Sequence, residues 1–246
     1  MENHRKGQGI LISVDKIFEL QDGLSKKHSI INKDFYLFIQ ESLEFCLNRN
    51  FYCNDSSNCQ KNTIHVFELF YQEALSSLLV CYRVGLWGCT TDCYAVLRAC
   101  LEALGFINQI INKGDFKHIY QLMDKGKLKK ELIEKRVKMD KKLEKTIGKL
   151  SDLASHFTKN RIAQRVFNVN GKQFARVGFA LYEKEGELPN RLGHLINTVM
   201  FALKILNEFY IKYHQNCITK EFRKKYRKLS ADYELLADKL NKNKPK

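Results

Sequence analysis

The longest apolar seam of this chain is the feature that most constrains its fold. Its members alternate between spacings of four and three residues: Cys93, Leu97, Cys100, Leu104, Ile107 and Ile111. That alternation places all six on one face of an α-helix, and a face so uniformly apolar favours burial. Thr90, Thr91 and Asp92 are candidate N-caps, and Gly114 is a candidate C-terminal stop. The stretch therefore predicts a core helix in a helical bundle.

Helical periodicity recurs along most of the chain. It predicts helices over residues 34–49, 65–84, 127–150 and 190–213, and a last helix that starts at Thr219. Only 2 of the 246 residues are Pro and 13 are Gly, which argues against a loop-rich sandwich or barrel. Residues 166–169 and 174–179 are β-prone and flank Asn170-Gly171, the strongest short signal for a hairpin. The sequence therefore predicts an all-α fold, a single helical bundle with one small β-hairpin insertion near residues 164–180.

The predicted organisation is one domain with short flanking segments. Residues 1–33 contain one short apolar element around residues 10–20, and we expect this N-terminal segment to be weakly ordered. The helical-bundle domain is expected to cover residues 34–241, followed by a frayed basic tail at 242–246. A chain of this size can bury roughly three quarters of its unfolded surface, so it needs no disulfide or metal for stability.

The apolar stretches and the cysteines indicate the cellular compartment of the protein. The N-terminus has no long apolar core of the kind that signal peptides carry. The stretch 74–89 is interrupted by Arg83, and it favours a buried helix over a membrane span. The 8 cysteines are scattered and include no Cys-x-x-Cys pair. We therefore expect a cytoplasmic protein with free thiols and with no membrane partner, bound metal or cofactor.

Positive charge is concentrated in two stretches of the sequence. The net charge is +15, of which residues 125–149 carry +7 and residues 219–246 carry +6. Segregation of this kind is typical of a surface that binds an anionic partner such as nucleic acid. Lysines on the outer face of an amphipathic helix are also commonly just solvated, so both interpretations stay open.

The last predicted helix adds an argument for the binding interpretation. Its basic residues lie toward its N-terminus, where they oppose the helix dipole by a few tenths of a kcal/mol per charge. Charges retained at this small cost suggest another role. The candidate nucleic-acid-binding residues are Lys129, Lys130, Arg136, Lys141, Lys142, Arg223, Lys224, Arg227 and Lys228.

Three polar residues are candidates for a catalytic centre. Arg98 and Glu102 are separated by one helical turn and lie among apolar neighbours. They predict either a structural ion pair or a polar pocket in the bundle core. His156 follows Asp152 by four residues, a spacing that can set the tautomer of its ring. The chain has no Gly-x-Ser-x-Gly, Walker, Rossmann or His-Glu-x-x-His motif, so no reaction class is indicated.

Two short motifs resemble a pattern found in bacterial all-helical proteins. Leu97-Arg98, three residues and Glu102 form the first motif, and Leu150-Ser151 followed by His156 forms the second. These proteins are similar to the HEPN superfamily of helical bundles, which includes RNA-cleaving toxins and defence proteins. The resemblance covers roughly residues 65–165, and it implies a role for Arg98, Glu102 and His156. The Arg-x4–6-His motif of the HEPN ribonucleases is absent, since Arg191 and His194 are only three residues apart.

Three hypotheses about function follow. The first is a protein that binds nucleic acid, with RNA favoured, through basic helices in a bacterial defence or toxin–antitoxin setting. The second is a HEPN-like nuclease or nucleotide-modifying enzyme that uses Arg98, Glu102 and His156. The third is an interaction module that forms a homodimer through the seam of its C-terminal helix. The sequence does not decide whether the chain is an enzyme.

Overall fold

The computed structural model describes residues 14–49, 61–86, 90–125, 141–154, 166–169, 172–175 and 187–242. Within these ranges the chain forms eight α-helices and two short strands. In chain order the elements are α1 (Val14–Ile31), α2 (Lys33–Leu47), α3 (Lys61–Leu86), α4 (Thr90–Lys113), α5 (Phe116–Asp124), α6 (Lys141–Ala154), β1 (Val166–Val169), β2 (Lys172–Ala175), α7 (Glu187–Tyr213) and α8 (Lys220–Lys242). The predicted all-α bundle is confirmed.

Helix α4 is central to the bundle, where it contacts α3, α6 and α7. All six members of its predicted seam are at most 1% exposed. The helix ends at Lys113, and Gly114 follows with a φ of +74°, a left-handed conformation that glycine adopts without steric cost. The predicted seam and the predicted stop are therefore both confirmed.

Aromatic side chains join α3 to α7 inside the core. The rings of Phe67 and Phe209 stack with their centroids 3.7 Å apart, and both side chains are buried. The buried hydroxyl of Tyr71 donates to the carbonyl oxygen of Ala202 at 3.0 Å. Because that hydrogen bond satisfies the only polar group of the side chain, Tyr71 lies in the core without a desolvation penalty for an unpaired hydroxyl.

Helix α8 packs across α2 and α7 through its apolar seam. Phe222, Leu229 and Leu236 of that seam are buried within the chain. At the start of the helix, the backbone N–H of Phe222 donates to the hydroxyl of Thr219 at 3.1 Å, as expected of an N-cap. The seam is thus occupied within one chain, and a homodimer through α8 would have to use the exposed face of the helix.

Two helices differ from what the periodicity predicts. Residues 14–31 form α1, where the sequence suggests a weakly ordered segment over residues 1–33. Its inner face includes polar residues: Ser25 and His28 are buried, and Nδ1 of His28 lies 3.0 Å from the carbonyl oxygen of Leu86. An apolar pattern cannot reveal such a face. Helix α5, with nine residues, is too short for its period to stand out.

The strands β1 and β2 pair in antiparallel fashion, with Val166 opposite Ala175 and Val169 opposite Lys172. The turn residues Asn170 and Gly171 lie outside the described residues, as do residues 155–165 and 176–186. The insertion of a complete hairpin into the bundle therefore stays a prediction. Residues 1–13, 126–140 and 243–246 also lie outside, so the expectations for the N-terminus, for the first half of the 127–150 helix and for the tail stay open.

Among the described helices, α4 is also long and apolar enough to cross a membrane. Residues Asp92–Lys113 have a mean hydropathy of 1.3 in their most apolar window, and 56% of that window is buried inside the fold. The core helix of a bundle passes the same test of length and composition. The finding is therefore weak evidence for a membrane span.

Candidate functional site

Arg98 and Glu102 form an ion pair on the side of α4 that faces away from the buried seam. Nε of Arg98 donates to Oε1 of Glu102 at 2.8 Å, and the two side chains are 36% and 42% exposed. Water reaches both groups, so the pair does not need an enclosed cavity to be tolerated. Of the two interpretations of this pair, the geometry favours the structural ion pair over a sealed pocket in the core.

Arg98 also connects α4 to α6. Its Nη1 donates to the hydroxyl of Ser151 at 3.1 Å, across 53 residues of sequence. The two motifs that carry the resemblance, Leu97-Arg98 and Leu150-Ser151, are thereby brought into contact. His156 lies outside the described residues, so its place relative to this pair stays a prediction.

The basic residues predicted in the first charged stretch are only partly described. Lys141 is exposed on α6, together with Lys145 and Lys149 of the same helix. Lys142 belongs to α6, but its side chain lies outside the description. Lys129, Lys130 and Arg136 lie outside the described residues. The described part of this stretch therefore forms one exposed basic edge on α6, made of Lys141, Lys145 and Lys149.

The second charged stretch presents a row of cations that we call the basic stripe. It consists of Lys220, Arg223, Lys224 and Arg227, all exposed in the first two turns of α8. Their spacing of three and four residues places them on one face of the helix, within an arc of about 100°. Among the described residues, no carboxylate forms a salt bridge with any of the four.

Other lysines of α8 have acidic partners on α2. Oε2 of Glu41 accepts hydrogen bonds from Lys225 and Lys228, each at 2.9 Å, and Asp34 accepts one from Lys239 at 2.6 Å. Hydrogen bonds from the two lysines lower the pKa of Glu41, and the same contact raises the pKa of Lys228. Lys228, expected to bind nucleic acid, is therefore engaged within the chain, because it lies at the edge of α8 that faces α2.

A cleft that the sequence does not predict lies between α4, α6, α7 and α8. Its volume is about 440 Å³. Six of the described lining residues are polar but uncharged: Asn108, Gln109, Thr146, His194, Asn197 and Thr198. The apolar part consists of Leu101, Leu143, Phe201 and Tyr233. A cleft of this size and mixed lining is typical of sites for small organic ligands.

His194 is the titratable imidazole of the cleft. Its ring meets the ring of Tyr94 edge to face, with centroids 5.5 Å apart. Burial lowers the pKa of His194 below its ordinary value of 6.5, and the nearby ammonium of Lys149 lowers it further. The ring is therefore neutral at pH 7, with one nitrogen that donates and one that accepts.

A hydrogen bond across the cleft orients one of its amides. The hydroxyl of Tyr233, on α8, donates to Oδ1 of Asn197, on α7, at 2.7 Å. Since the oxygen of Asn197 is engaged, its amide nitrogen is left to offer two N–H donors. The hydroxyl of Thr198 donates to the carbonyl oxygen of His194 at 2.8 Å, so this hydroxyl acts on the cleft as an acceptor.

The sequence contains one indication of this cleft, which is a group of polar residues within the apolar run of α7. His194, Asn197 and Thr198 interrupt the apolar run of α7 at spacings of three and four residues, which places them on one face. In the sequence, His194 stands out only for its distance from Arg191, which is fully buried. Polar residues that share a face of an otherwise apolar helix would have indicated the site.

The buried cysteines are structural in character. Cys46, Cys81, Cys93 and Cys100 are buried free thiols, and burial raises the pKa of Cys46 to about 12. A thiol with so high a pKa is a poor nucleophile. Within the described ranges, no group of three or more His, Cys, Asp or Glu side chains is placed to hold a metal ion.

No family model, curated protein or solved structure matches this chain. The candidate sites therefore stand on their own geometry.

Proposed function

We propose that this protein binds nucleic acid, with RNA favoured, and that the basic stripe of α8 makes the principal contact. The observation that carries the proposal is the division of the cations of α8 into two sets. Lysines at the edge facing α2 have carboxylate partners, whereas the four cations of the stripe are exposed and form no salt bridge with a described residue.

The physics of the stripe supports this choice. Four positive charges within two turns repel one another and oppose the dipole at the start of the helix. A phosphate backbone relieves that repulsion, and each contact releases condensed counterions. The exposed lysines of α6, Lys141, Lys145 and Lys149, offer a second basic edge for a longer strand. RNA is favoured over DNA on the resemblance to HEPN bundles.

A stripe variant and a matched control test the proposal. The stripe variant replaces Lys220, Arg223, Lys224 and Arg227 by Gln, which leaves the buried seam of α8 intact. The control replaces Lys26, Lys33, Lys117 and Lys204 by Gln; these are four exposed lysines on four other helices. Both variants lower the net charge from +15 to +11. A difference between them reports the position of the charge rather than its amount.

Binding is measured by fluorescence anisotropy with mixed pools of single-stranded RNA, duplex RNA and DNA. We expect the wild type and the control to bind, and the stripe variant to bind at least tenfold more weakly, a loss of about 1.4 kcal/mol. If the wild type binds none of the pools at low salt, or if the control loses as much affinity as the stripe variant, the proposal is wrong.

A second candidate is a HEPN-like nuclease or nucleotide-modifying enzyme. The contact between Arg98 and Ser151 favours it, because this contact joins the two motifs on which the resemblance rests. The test is turnover of RNA and of free nucleotides by the wild type and by His156→Ala and Arg98→Lys variants with unchanged unfolding curves. Turnover that these variants retain would remove Arg98 and His156 from any catalytic role.

The cellular setting is part of the proposal. A bacterial defence or toxin–antitoxin role is supported by the resemblance alone. A cytoplasmic location is supported by the free thiols of the buried cysteines.

A further inference from the structure

We propose that the cleft between α4, α6, α7 and α8 binds a small, neutral, planar heterocycle that carries adjacent hydrogen-bond donors and acceptors. Nucleobases are the most abundant cellular molecules of this class. The cleft and the basic stripe use different faces of α8, since Tyr233 lies away from the arc of the stripe. Binding of a free nucleoside is therefore independent of the nucleic-acid binding proposed above.

The charge of the lining is the first feature of the cleft that selects a ligand. The described residues that line the cleft include no carboxylate, ammonium or guanidinium group. The one imidazole, His194, is neutral at pH 7. Among the described lining residues, a metal ion or an organic cation would find no counter-charge, and a phosphate group would exchange its hydration for uncharged donors only. The lining therefore favours a neutral ligand.

The arrangement of the polar groups is the second feature that selects a ligand. Asn197 has its oxygen fixed by Tyr233, so its amide nitrogen can donate, and Asn108 brings a second amide from α4. The imidazole of His194 adds one donor and one acceptor. Amide side chains match a heterocycle edge in which a donor stands next to an acceptor, as they do with adenine. A ligand with donors only or acceptors only would leave part of this set unpaired.

The shape of the cleft is the third feature that selects a ligand. Leu101, Leu143 and Phe201 contribute apolar surface, and Tyr233 contributes an aromatic ring held by its hydrogen bond to Asn197. Apolar and aromatic groups accommodate the faces of a flat ring, whereas the amides accommodate its edge. The volume of about 440 Å³ is within the range of ligand sites in proteins.

Calorimetric titration of the full chain with adenosine, guanosine, cytidine and uridine tests this inference, with ribose and glucose as sugar controls. The key variant is Asn197→Asp, which keeps the acceptor for Tyr233 and removes the two amide donors. The matched control is Asn112→Asp, which makes the same change at an exposed position of α4 one turn beyond Asn108. Asn108→Leu is a second cleft variant, in case Asn197→Asp fails to fold.

We expect at least one nucleoside to bind with a sub-millimolar Kd and the sugars to show no binding. Each cleft variant should weaken nucleoside binding about tenfold, as expected for the loss of one hydrogen bond to the ligand. The stripe variant should bind the nucleoside as the wild type does, so that failure of one proposal is distinguishable from failure of the other. The inference is overturned if no nucleoside binds at millimolar concentration, if ribose binds as tightly, or if the cleft variants lose no more affinity than Asn112→Asp.

Discussion

Arg49 holds both carboxylate oxygens of Glu68 and thereby ties the end of α2 to α3. Its Nε donates to Oε1 at 2.9 Å, and its Nη2 donates to Oε2. Its Nη1 donates to the carbonyl oxygen of Cys46 at 2.8 Å, and the guanidinium lies 5.4 Å from the ring centroid of Tyr71. The Arg49 side chain is only 3% exposed. Its charge is therefore tolerated because one carboxylate compensates it.

We expect Glu68→Ala to lower the free energy of unfolding by about 3 kcal/mol, because the substitution leaves a buried guanidinium without its counter-charge. Urea denaturation monitored by circular dichroism measures this loss. Glu73→Ala, at an exposed position of the same helix, is the control and should change stability by less than about 0.5 kcal/mol. A loss below about 1 kcal/mol for Glu68→Ala would mean that water reaches Arg49.

Glu102→Ala should change the free energy of unfolding much less than Glu68→Ala does, although it also removes the carboxylate partner of an arginine. Arg98 and Glu102 are both more than a third exposed, and exposed pairs contribute about 0–1 kcal/mol. The same urea measurement should show a change within that range. A loss of about 3 kcal/mol or more would show that the pair is buried and would restore the core-pocket interpretation.

The sequence predicts the interior of the bundle well where packing is apolar and poorly where it is polar. The seam of α4 and the inner face of α7, including Leu195, Ile196 and Val199, are buried as their spacing requires. The apolar pattern does not predict helix α1, because His28 occupies a buried position where an apolar residue would be expected. The His28 side chain forms a hydrogen bond with a backbone carbonyl of α3. A hydrogen bond across 58 residues leaves no local pattern.

The same limit applies to the candidate sites. The basic stripe is readable in the sequence because it lies within two turns of one helix. Its distinction from Lys225 and Lys228 is not readable, since it depends on Glu41, which lies on another helix. The cleft depends on four helices at once, so it could be predicted only as an unexplained polar group of residues on α7.

Two glycines on or next to helices should respond to alanine with opposite signs. Gly114→Ala should cost about 1–2 kcal/mol, because a side chain disfavours the φ of +74° found there. Gly148→Ala should stabilise the protein by about 0.5–1 kcal/mol, because this residue lies inside α6 and an added Cβ meets nothing within 4 Å. Thermal unfolding of both variants measures the difference. Equal effects would contradict the assigned end of α4.

His194 should make stability depend on pH near neutrality. Its pKa in the folded state lies below the ordinary 6.5, mainly through burial and then through Lys149. As the pH falls through 6.5, the unfolded chain binds a proton that the folded chain does not, so stability falls. Above that pH the contribution of His194 is constant.

An NMR titration of the imidazole resonances tests the cause of this shift. Lys149→Gln should raise the pKa of His194 but leave it below its ordinary value, because burial remains. Lys145→Gln removes an equal charge one turn away on the exposed side of α6 and is the control. If the control moves this pKa as far as Lys149→Gln does, the effect is one of net charge and not of proximity.

The salt dependence of RNA binding shows whether the basic stripe contacts the phosphate backbone. The affinities of the wild type, the stripe variant and the charge-matched control for single-stranded RNA are measured at several salt concentrations. We predict that log affinity falls linearly with log salt for all three. The slope of the stripe variant should be smaller than that of the wild type by up to about three, at about 0.7 per lost phosphate contact. The control should keep the wild-type slope, and a stripe variant that also keeps it would show that Lys220, Arg223, Lys224 and Arg227 are solvated charges and not an RNA-binding surface.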